Sequence, residues 1–114
     1  VFLPGYMSDM AGGKATAVFE WAFPQGRACL LLDYSGCGES DGSFADGTLS
    51  RWRDEVLMLI EVYCQGTVVL VGSSMGGWLM LLTALAAPQE NQTTICMSSL
   101  PLCENGGVLK IDIL

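Results

Sequence analysis

The chain has 114 residues, 51% of them hydrophobic, with five Lys and Arg against twelve Asp and Glu and no histidine. This length is typical of one domain, and a net charge of −7 argues against nucleic-acid binding, because few cations are present to neutralise phosphates. The missing histidine excludes imidazole from acid–base catalysis and from metal binding within these residues.

The five cysteines are odd in number, irregularly spaced and without a C-x-x-C pair. A secreted disulfide framework is usually even and dense, so we predict reduced, mostly buried thiols in an intracellular protein. We recognise no signal-peptide pattern in these residues, which open on Val1 within an apolar, strand-like run. We interpret it as a piece of a longer protein.

Apolar runs and periodic stretches alternate along the first 88 residues. They predict strands at residues 1–3, 28–34 and 67–71 and helices at residues 11–23, 49–63 and 77–87. This alternation implies an α/β fold, with a parallel sheet, right-handed crossovers and helices on both faces. After Pro88 the pattern weakens, and residues 89–114 form a divergent tail with two weak strand candidates at 93–98 and 108–114.

The stretch from residue 67 to residue 87 is uncharged and long enough to be a membrane-spanning helix. The competing interpretation is a buried strand, a tight turn and a buried helix. The β-branched run at 68–71 is typical of a parallel strand covered on both faces, and the glycines that follow would weaken one continuous helix. No Lys or Arg cluster flanks the stretch. We therefore predict no membrane span.

The most informative motif is G-S-S-M-G at residues 72–76, a G-x-S-x-G between the predicted strand and helix. In this context Gly72 and Gly76 leave room for a sharp turn that exposes the hydroxyl of Ser74 at a helix N-terminus, where negative charge is stabilised. Ser74 is then the candidate nucleophile and the amide of Met75 a candidate oxyanion donor. The alternative is a Gly-Ser turn that only lets strand and helix pack closely.

Two other turns follow predicted strands. The amide of Tyr6, after the first strand, would be the second oxyanion donor, although an ordinary strand-ending turn would look the same. Asp33 is predicted to pin a loop rather than to act as a catalytic acid. Cys37 has no basic neighbour in the sequence and is predicted to be a structural thiol. The glycines near residue 36 form neither a dinucleotide fingerprint nor a P-loop, so no cofactor is predicted.

Together these stretches resemble the α/β-hydrolase superfamily of serine hydrolases, from its third strand through the helix after the nucleophile. The resemblance is closer to a branch of bacterial hydrolases and mitochondrial acyl-protein thioesterases. It rests on P-G-Y-M-S-D-M at 4–10, L-D-Y-S-G at 32–36, L-x-x-W at 49–52 and G-S-S-M-G-G-W at 72–78. It implies that residues 1–88 are the N-terminal half of a hydrolase domain, with Ser74 as nucleophile and the amides of Tyr6 and Met75 as the oxyanion pair.

In this family the acid and the histidine come after the nucleophile, and neither has a counterpart here. The resemblance thus implies a parent serine hydrolase of acyl esters or thioesters, acting on a small-molecule or acyl-protein substrate in a bacterial cytoplasm or a mitochondrial matrix. The 114 residues alone are expected to be inactive. The alternative is a truncated, non-catalytic hydrolase-like module. The sequence does not indicate an oligomeric state, and no metal site is expected.

Overall fold

The computed structural model describes residues 1–87, 93–98 and 109–112, the last two segments as backbone only. The elements in chain order are β1 (Phe2–Leu3), α1 (Gly13–Ala22), α2 (Leu49–Tyr63), β2 (Val68–Ser73), α3 (Met75–Ala86), β3 (Thr93–Ser98) and β4 (Leu109–Asp112). Short 3₁₀ turns lie at Phe23–Gln25 and Phe44–Asp46. Pro88, which was predicted to close the third helix, lies outside the described residues.

The sheet has the order β1-β2-β3-β4. The β1–β2 and β2–β3 pairs are parallel, as predicted, whereas β3 and β4 pair antiparallel. Helices α2 and α3 contact each other, while α1 contacts β1 and, within the described ranges, neither of the other two helices. That arrangement is what helices on opposite faces of one sheet produce.

The predicted strand at residues 28–34 forms only in part. Among the described residues this segment makes one parallel bridge, between Leu31 and Phe2. The Phe2 N–H also donates a 3.0 Å hydrogen bond to the Leu30 carbonyl. Its partner β1 is only two residues long and is followed by Pro4, which has no amide hydrogen to continue a ladder. The segment still packs as a strand would, because Leu32 and Tyr34 are both buried.

The helices differ from prediction mainly at their starts. Helix α1 begins at Gly13 rather than at residue 11, because Asp9 makes a turn in which its carboxylate accepts the amide of Ala11 over 2.9 Å. It ends at Ala22, and the 3₁₀ turn that follows is closed by Gly26 in a left-handed conformation with φ 68°. Helix α2 has the predicted bounds. Helix α3 begins at Met75, two residues earlier than predicted.

The core lies between the sheet and the α2–α3 layer. Trp52 and Val56 of α2 and Leu79 and Met80 of α3 are buried. They pack with further core residues from β1, the 28–34 segment and β2: Leu3, Leu32, Tyr34, Val68 and Leu70. This packing holds the carboxyl ends of β1 and β2 next to each other, which is where the candidate site lies.

Candidate functional site

Ser74 is a single-residue turn between β2 and α3. Its backbone has φ 55° and ψ −119°, a conformation that is costly for a residue with a Cβ. Its side chain is exposed and, within the described residues, makes no capping hydrogen bond to α3. The predicted strand–turn–helix is therefore confirmed and the single spanning helix is wrong; no helix in the described part of the chain is both long and apolar enough to cross a bilayer.

The glycines on either side of this turn allow three backbones to meet. A Cβ built on Gly76 would collide with the carbonyl of Leu3, and one built on Gly72 would collide with the carbonyl of Gly76. The sequence prediction that these positions have no room for a side chain is confirmed. The close packing brings α3 against the end of β1, so that the loop after β1 lies beside Ser74.

The two predicted oxyanion donors lie on either side of this junction. Met75 is the first residue of α3, and the first amides of a helix have no carbonyl partner within it. On the other side, a Cβ built on Gly5 would lie 2.9 Å from the carbonyl oxygen of Ser73 and 3.2 Å from the Cβ of Ser74. Because Gly5 contacts the candidate nucleophile, the backbone amide of the next residue, Tyr6, lies close to Ser74.

The loop that carries Tyr6 is tied to the core by a contact that the sequence analysis did not find. The buried hydroxyl of Tyr34 donates a 2.8 Å hydrogen bond to the carbonyl of Pro4. The ring of Tyr34 stacks on Trp52 of α2 with a centroid distance of 5.5 Å. The Trp52 indole in turn donates to the carbonyl of Ser35 over 3.0 Å. These bonds fix the position of the loop relative to the sheet.

Asp33 joins two loops. One oxygen of its carboxylate accepts the amide of Met10 over 2.7 Å and the other accepts the amide of Glu39 over 3.2 Å. Gly38 has φ 53° and packs so closely on this carboxylate that a Cβ would collide with it. The prediction that Asp33 pins a loop is confirmed.

Lys14 reaches the nucleophile turn from α1. Its ammonium donates to the hydroxyl of Ser73 over 2.9 Å, and Ser73 is buried directly before Ser74. Reasoning from residue types missed this contact, because 59 positions separate the two residues and no local pattern links them. A positive charge thus lies near the turn in which an oxyanion would form.

Cys37 is buried in the loop after the 28–34 segment. Burial raises the pKa of its thiol above the ordinary value of 9.0, and the negative charges of Asp33 and Glu55 raise it further by smaller amounts. A raised pKa disfavours the reactive thiolate, as expected for a structural cysteine.

An open cleft of about 340 Å³ lies along the 28–34 segment. Leu31, Leu59 and Tyr63 are among the residues that line it, and Ser74 is not. The cleft is therefore separate from the candidate site.

Comparison with known proteins places this geometry in a family. The family model described as "Alpha/beta hydrolase family" matches residues 1–110. Mitochondrial palmitoyl-protein thioesterase ABHD10 from human is 49% identical over 90 residues, covering 79% of this chain and 29% of the relative. The mouse protein is 48% identical over 90 residues, which cover 30% of its length. The chain thus spans less than a third of these curated relatives.

Solved structures agree with the sequence matches. The mouse alpha/beta hydrolase domain-containing protein 10 superposes with a TM-score of 0.74 at 47% identity, covering 80% of this chain and 36% of that one. A crystal structure from Agrobacterium vitis S4, described as a hydrolase, superposes with a TM-score of 0.77 at 38% identity, covering 84% and 39% respectively. The chain belongs to the alpha/beta hydrolase family.

Proposed function

We propose that Ser74 is the nucleophile of a serine hydrolase that cleaves acyl esters or thioesters. The observation that carries the proposal is the exposed Ser74 side chain on a strained, positive-φ backbone between β2 and α3. Backbone strain of this kind is concentrated at functional sites, and a G-x-S-x-G turn between a strand and a helix is the nucleophile turn of α/β-hydrolases. The curated relatives named as palmitoyl-protein thioesterases support a fatty acyl thioester as the substrate class.

In this proposal Ser74 Oγ attacks the carbonyl carbon of the substrate and the carbonyl oxygen becomes negatively charged. The amides of Met75 and Tyr6 donate hydrogen bonds to that oxygen. The N-terminus of α3 adds the positive end of its dipole at the same place. The close packing of Gly76 on the Leu3 carbonyl holds the two ends of the turn in place and so supports the strained backbone at Ser74.

The attack also needs a general base, and these 114 residues contain no histidine. In α/β-hydrolases the acid and the histidine come after the nucleophile, and this chain spans 29% of its human relative. We therefore propose that the base comes from outside these residues, that residues 1–88 are the N-terminal half of the hydrolase domain, and that the isolated chain shows no Ser74-dependent turnover. The mitochondrial relatives favour a mitochondrial location for the parent protein.

The missing histidine also favours a second candidate function, a hydrolase-like module that binds an acyl ligand or a partner without cleaving it. The two candidates differ in whether Ser74 reacts once a base is present. Both candidate functions predict that the isolated chain does not turn over substrate.

A chimera distinguishes them. The aligned 90-residue segment of mouse ABHD10 is replaced by the matching segment of this chain, so that the rest of the mouse protein completes the domain. We expect the chimera to hydrolyse a palmitoyl thioester and to react with a fluorophosphonate probe, with mass spectrometry locating the probe on Ser74. Ser74→Ala should lower kcat by at least about 10³-fold.

Ser50→Ala is the matched control, because Ser50 lies exposed on α2 and is expected to leave kcat unchanged. The isolated 114-residue chain is assayed beside the chimera with a p-nitrophenyl ester. Activity in the chimera that survives Ser74→Ala would refute the assignment of the nucleophile. Turnover by the isolated chain that Ser74→Ala abolishes would refute the proposal that the base lies elsewhere.

A further inference from the structure

Two aromatic rings pack together on the loops that follow β1 and the 28–34 segment, and one of them belongs to Tyr6, the residue after Gly5. Tyr6 and Phe44 are in edge-to-face contact, with ring centroids 5.3 Å apart and an interplanar angle of 76°. Tyr6 is 62% exposed and Phe44 is half-buried, so the pair presents apolar surface to solvent. Met7, which follows Tyr6, is also exposed.

This surface rests on a rigid support. The ring of Phe44 packs on Trp52 with centroids 5.6 Å apart, and Trp52 stacks on Tyr34 at 5.5 Å. Both Trp52 and Tyr34 are buried, and the Tyr34 hydroxyl holds the loop that carries Tyr6 through the carbonyl of Pro4. The core therefore holds both outer rings, although Tyr6 is exposed and Phe44 is half-buried.

The backbone of Tyr6 lies close to Ser74. Gly5 packs against the Cβ of Ser74, and Tyr6 is its neighbour in the chain, with successive Cα atoms about 3.8 Å apart. If the substrate carbonyl lies at Ser74 with its oxygen at the Tyr6 amide, we expect the acyl chain to reach the ring of the same residue. The backbone of Tyr6 thus connects the ring pair to the candidate catalytic site.

We propose that Tyr6 and Phe44 form the wall that binds the acyl chain of the substrate, and that they make the site prefer long, uncharged hydrocarbon chains. The inference rests on the proposed function for the placement of the carbonyl at Ser74. Aromatic rings on a fixed support lose little conformational freedom on binding, and the hydrocarbon chain gains by leaving water. Contiguous exposed apolar surface on a protein often marks a ligand-binding groove.

Alkyl thioethers test the wall without any reaction, because a thioether lacks the thioester carbonyl that Ser74 would attack. Binding of S-ethyl, S-hexyl and S-decyl N-acetylcysteamine to the full 114-residue chain is measured by isothermal titration calorimetry. We expect the affinity to rise by about twofold or more for each added CH₂, about half the gain of complete burial. Tyr6→Ala should weaken S-decyl binding at least about fivefold and have no effect on S-ethyl binding.

Three further variants complete the design. Tyr6→Phe should bind like the unchanged chain, because the wall needs the ring and not the hydroxyl. Phe23→Ala is the control: Phe23 is an exposed ring stacked on Phe19, ten residues beyond the start of α1 and about 15 Å along the helix from the site end. Phe44→Ala should weaken binding like Tyr6→Ala, with folding checked by circular dichroism.

No binding, binding independent of chain length, or an equal loss in Phe23→Ala would each overturn the inference. Ser74→Ala is expected to bind S-decyl N-acetylcysteamine normally. Normal binding of the alkyl chain together with an unreactive Ser74 in the chimera would leave the wall intact and refute the proposed function alone. A reactive Ser74 without chain-length dependence would refute the wall alone.

Discussion

The hydroxyl of Tyr34 donates a 2.8 Å hydrogen bond to the carbonyl oxygen of Pro4, and both residues are buried. The bond joins the end of the 28–34 segment to the loop after β1. That loop contacts the candidate nucleophile through Gly5. The position of the loop beside Ser74 therefore depends on a polar contact within the core as well as on the sheet.

Tyr34→Phe tests the strength of this contact. Removal of the hydroxyl leaves the buried carbonyl of Pro4 without its donor, so we expect the free energy of unfolding to fall by about 1–2 kcal/mol. Urea denaturation followed by circular dichroism measures the change. Tyr63→Phe is the matched control, because Tyr63 is 69% exposed and should change stability by less than about 0.5 kcal/mol. Equal effects of the two variants would show that the bond contributes nothing.

Gly76→Ala tests the close approach of α3 to β1. The added Cβ would collide with the backbone carbonyl of Leu3, which is held in the sheet and cannot move away as a side chain could. We expect a loss of about 3 kcal/mol or more, measured by urea denaturation.

Gly13→Ala is the control for that substitution. Gly13 is the first residue of α1 and has open space around its Cβ position. Because alanine favours a helix over glycine, we expect Gly13→Ala to leave stability unchanged or to raise it by up to about 1 kcal/mol. Tolerance of alanine at both positions would contradict the packing described for the nucleophile turn.

Local sequence patterns predicted the parts of the fold that depend on local physics. The apolar run before Gly72 became β2, and the periodic stripe with Trp52 and Val56 became α2, because burial of a strand or of a helix face leaves a regular spacing of apolar residues. The turn at Ser74 was predicted for the same reason, since its glycines are a local requirement for close packing.

The contacts that hold the site could not be predicted in this way. The bond from Tyr34 to Pro4 joins residues 30 positions apart, and the bond from Lys14 to Ser73 joins residues 59 positions apart. Neither pair leaves a periodic signal. The 28–34 segment shows the opposite failure: its residues favour a strand, but strand pairing also depends on the partner, and β1 offers only two residues.

The same substitution is expected to have opposite effects at two threonines. The hydroxyl of Thr83 in α3 is fully buried and finds no hydrogen-bond partner within the described residues. Thr83→Val removes an unsatisfied polar group at constant shape and should raise the free energy of unfolding by about 1 kcal/mol. Thr48 instead accepts the amide of Arg51 over 3.1 Å as the N-cap of α2, so Thr48→Val should lower it by about 1 kcal/mol.

Thermal and urea unfolding of the two valine variants measure this pair of effects. If both substitutions changed the free energy of unfolding in the same direction, a general effect of valine, rather than hydrogen bonding, would decide the outcome.

Alkaline pH is expected to destabilise the chain through two groups that are buried in their neutral forms. Burial, with the charges of Asp33 and Glu55, raises the pKa of Cys37 above 9.0, and burial, with the charge of Cys37, raises the pKa of Tyr34 above 10.0. In each case the unfolded chain loses its proton at a lower pH than the folded chain does. Above that pH the unfolded state binds fewer protons than the folded state does. The free energy of unfolding therefore falls as the pH rises.

Urea denaturation between pH 7 and pH 11 should therefore show a progressive loss of stability above about pH 9. Cys37→Ser should remove the part of the loss that begins near pH 9, and Tyr34→Phe the part that begins near pH 10, because serine and phenylalanine do not titrate in this range. The slope, and not the stability at neutral pH, is the diagnostic quantity, since both substitutions also change packing. An unchanged slope in both variants would contradict the burial of the Cys37 thiol and the Tyr34 hydroxyl.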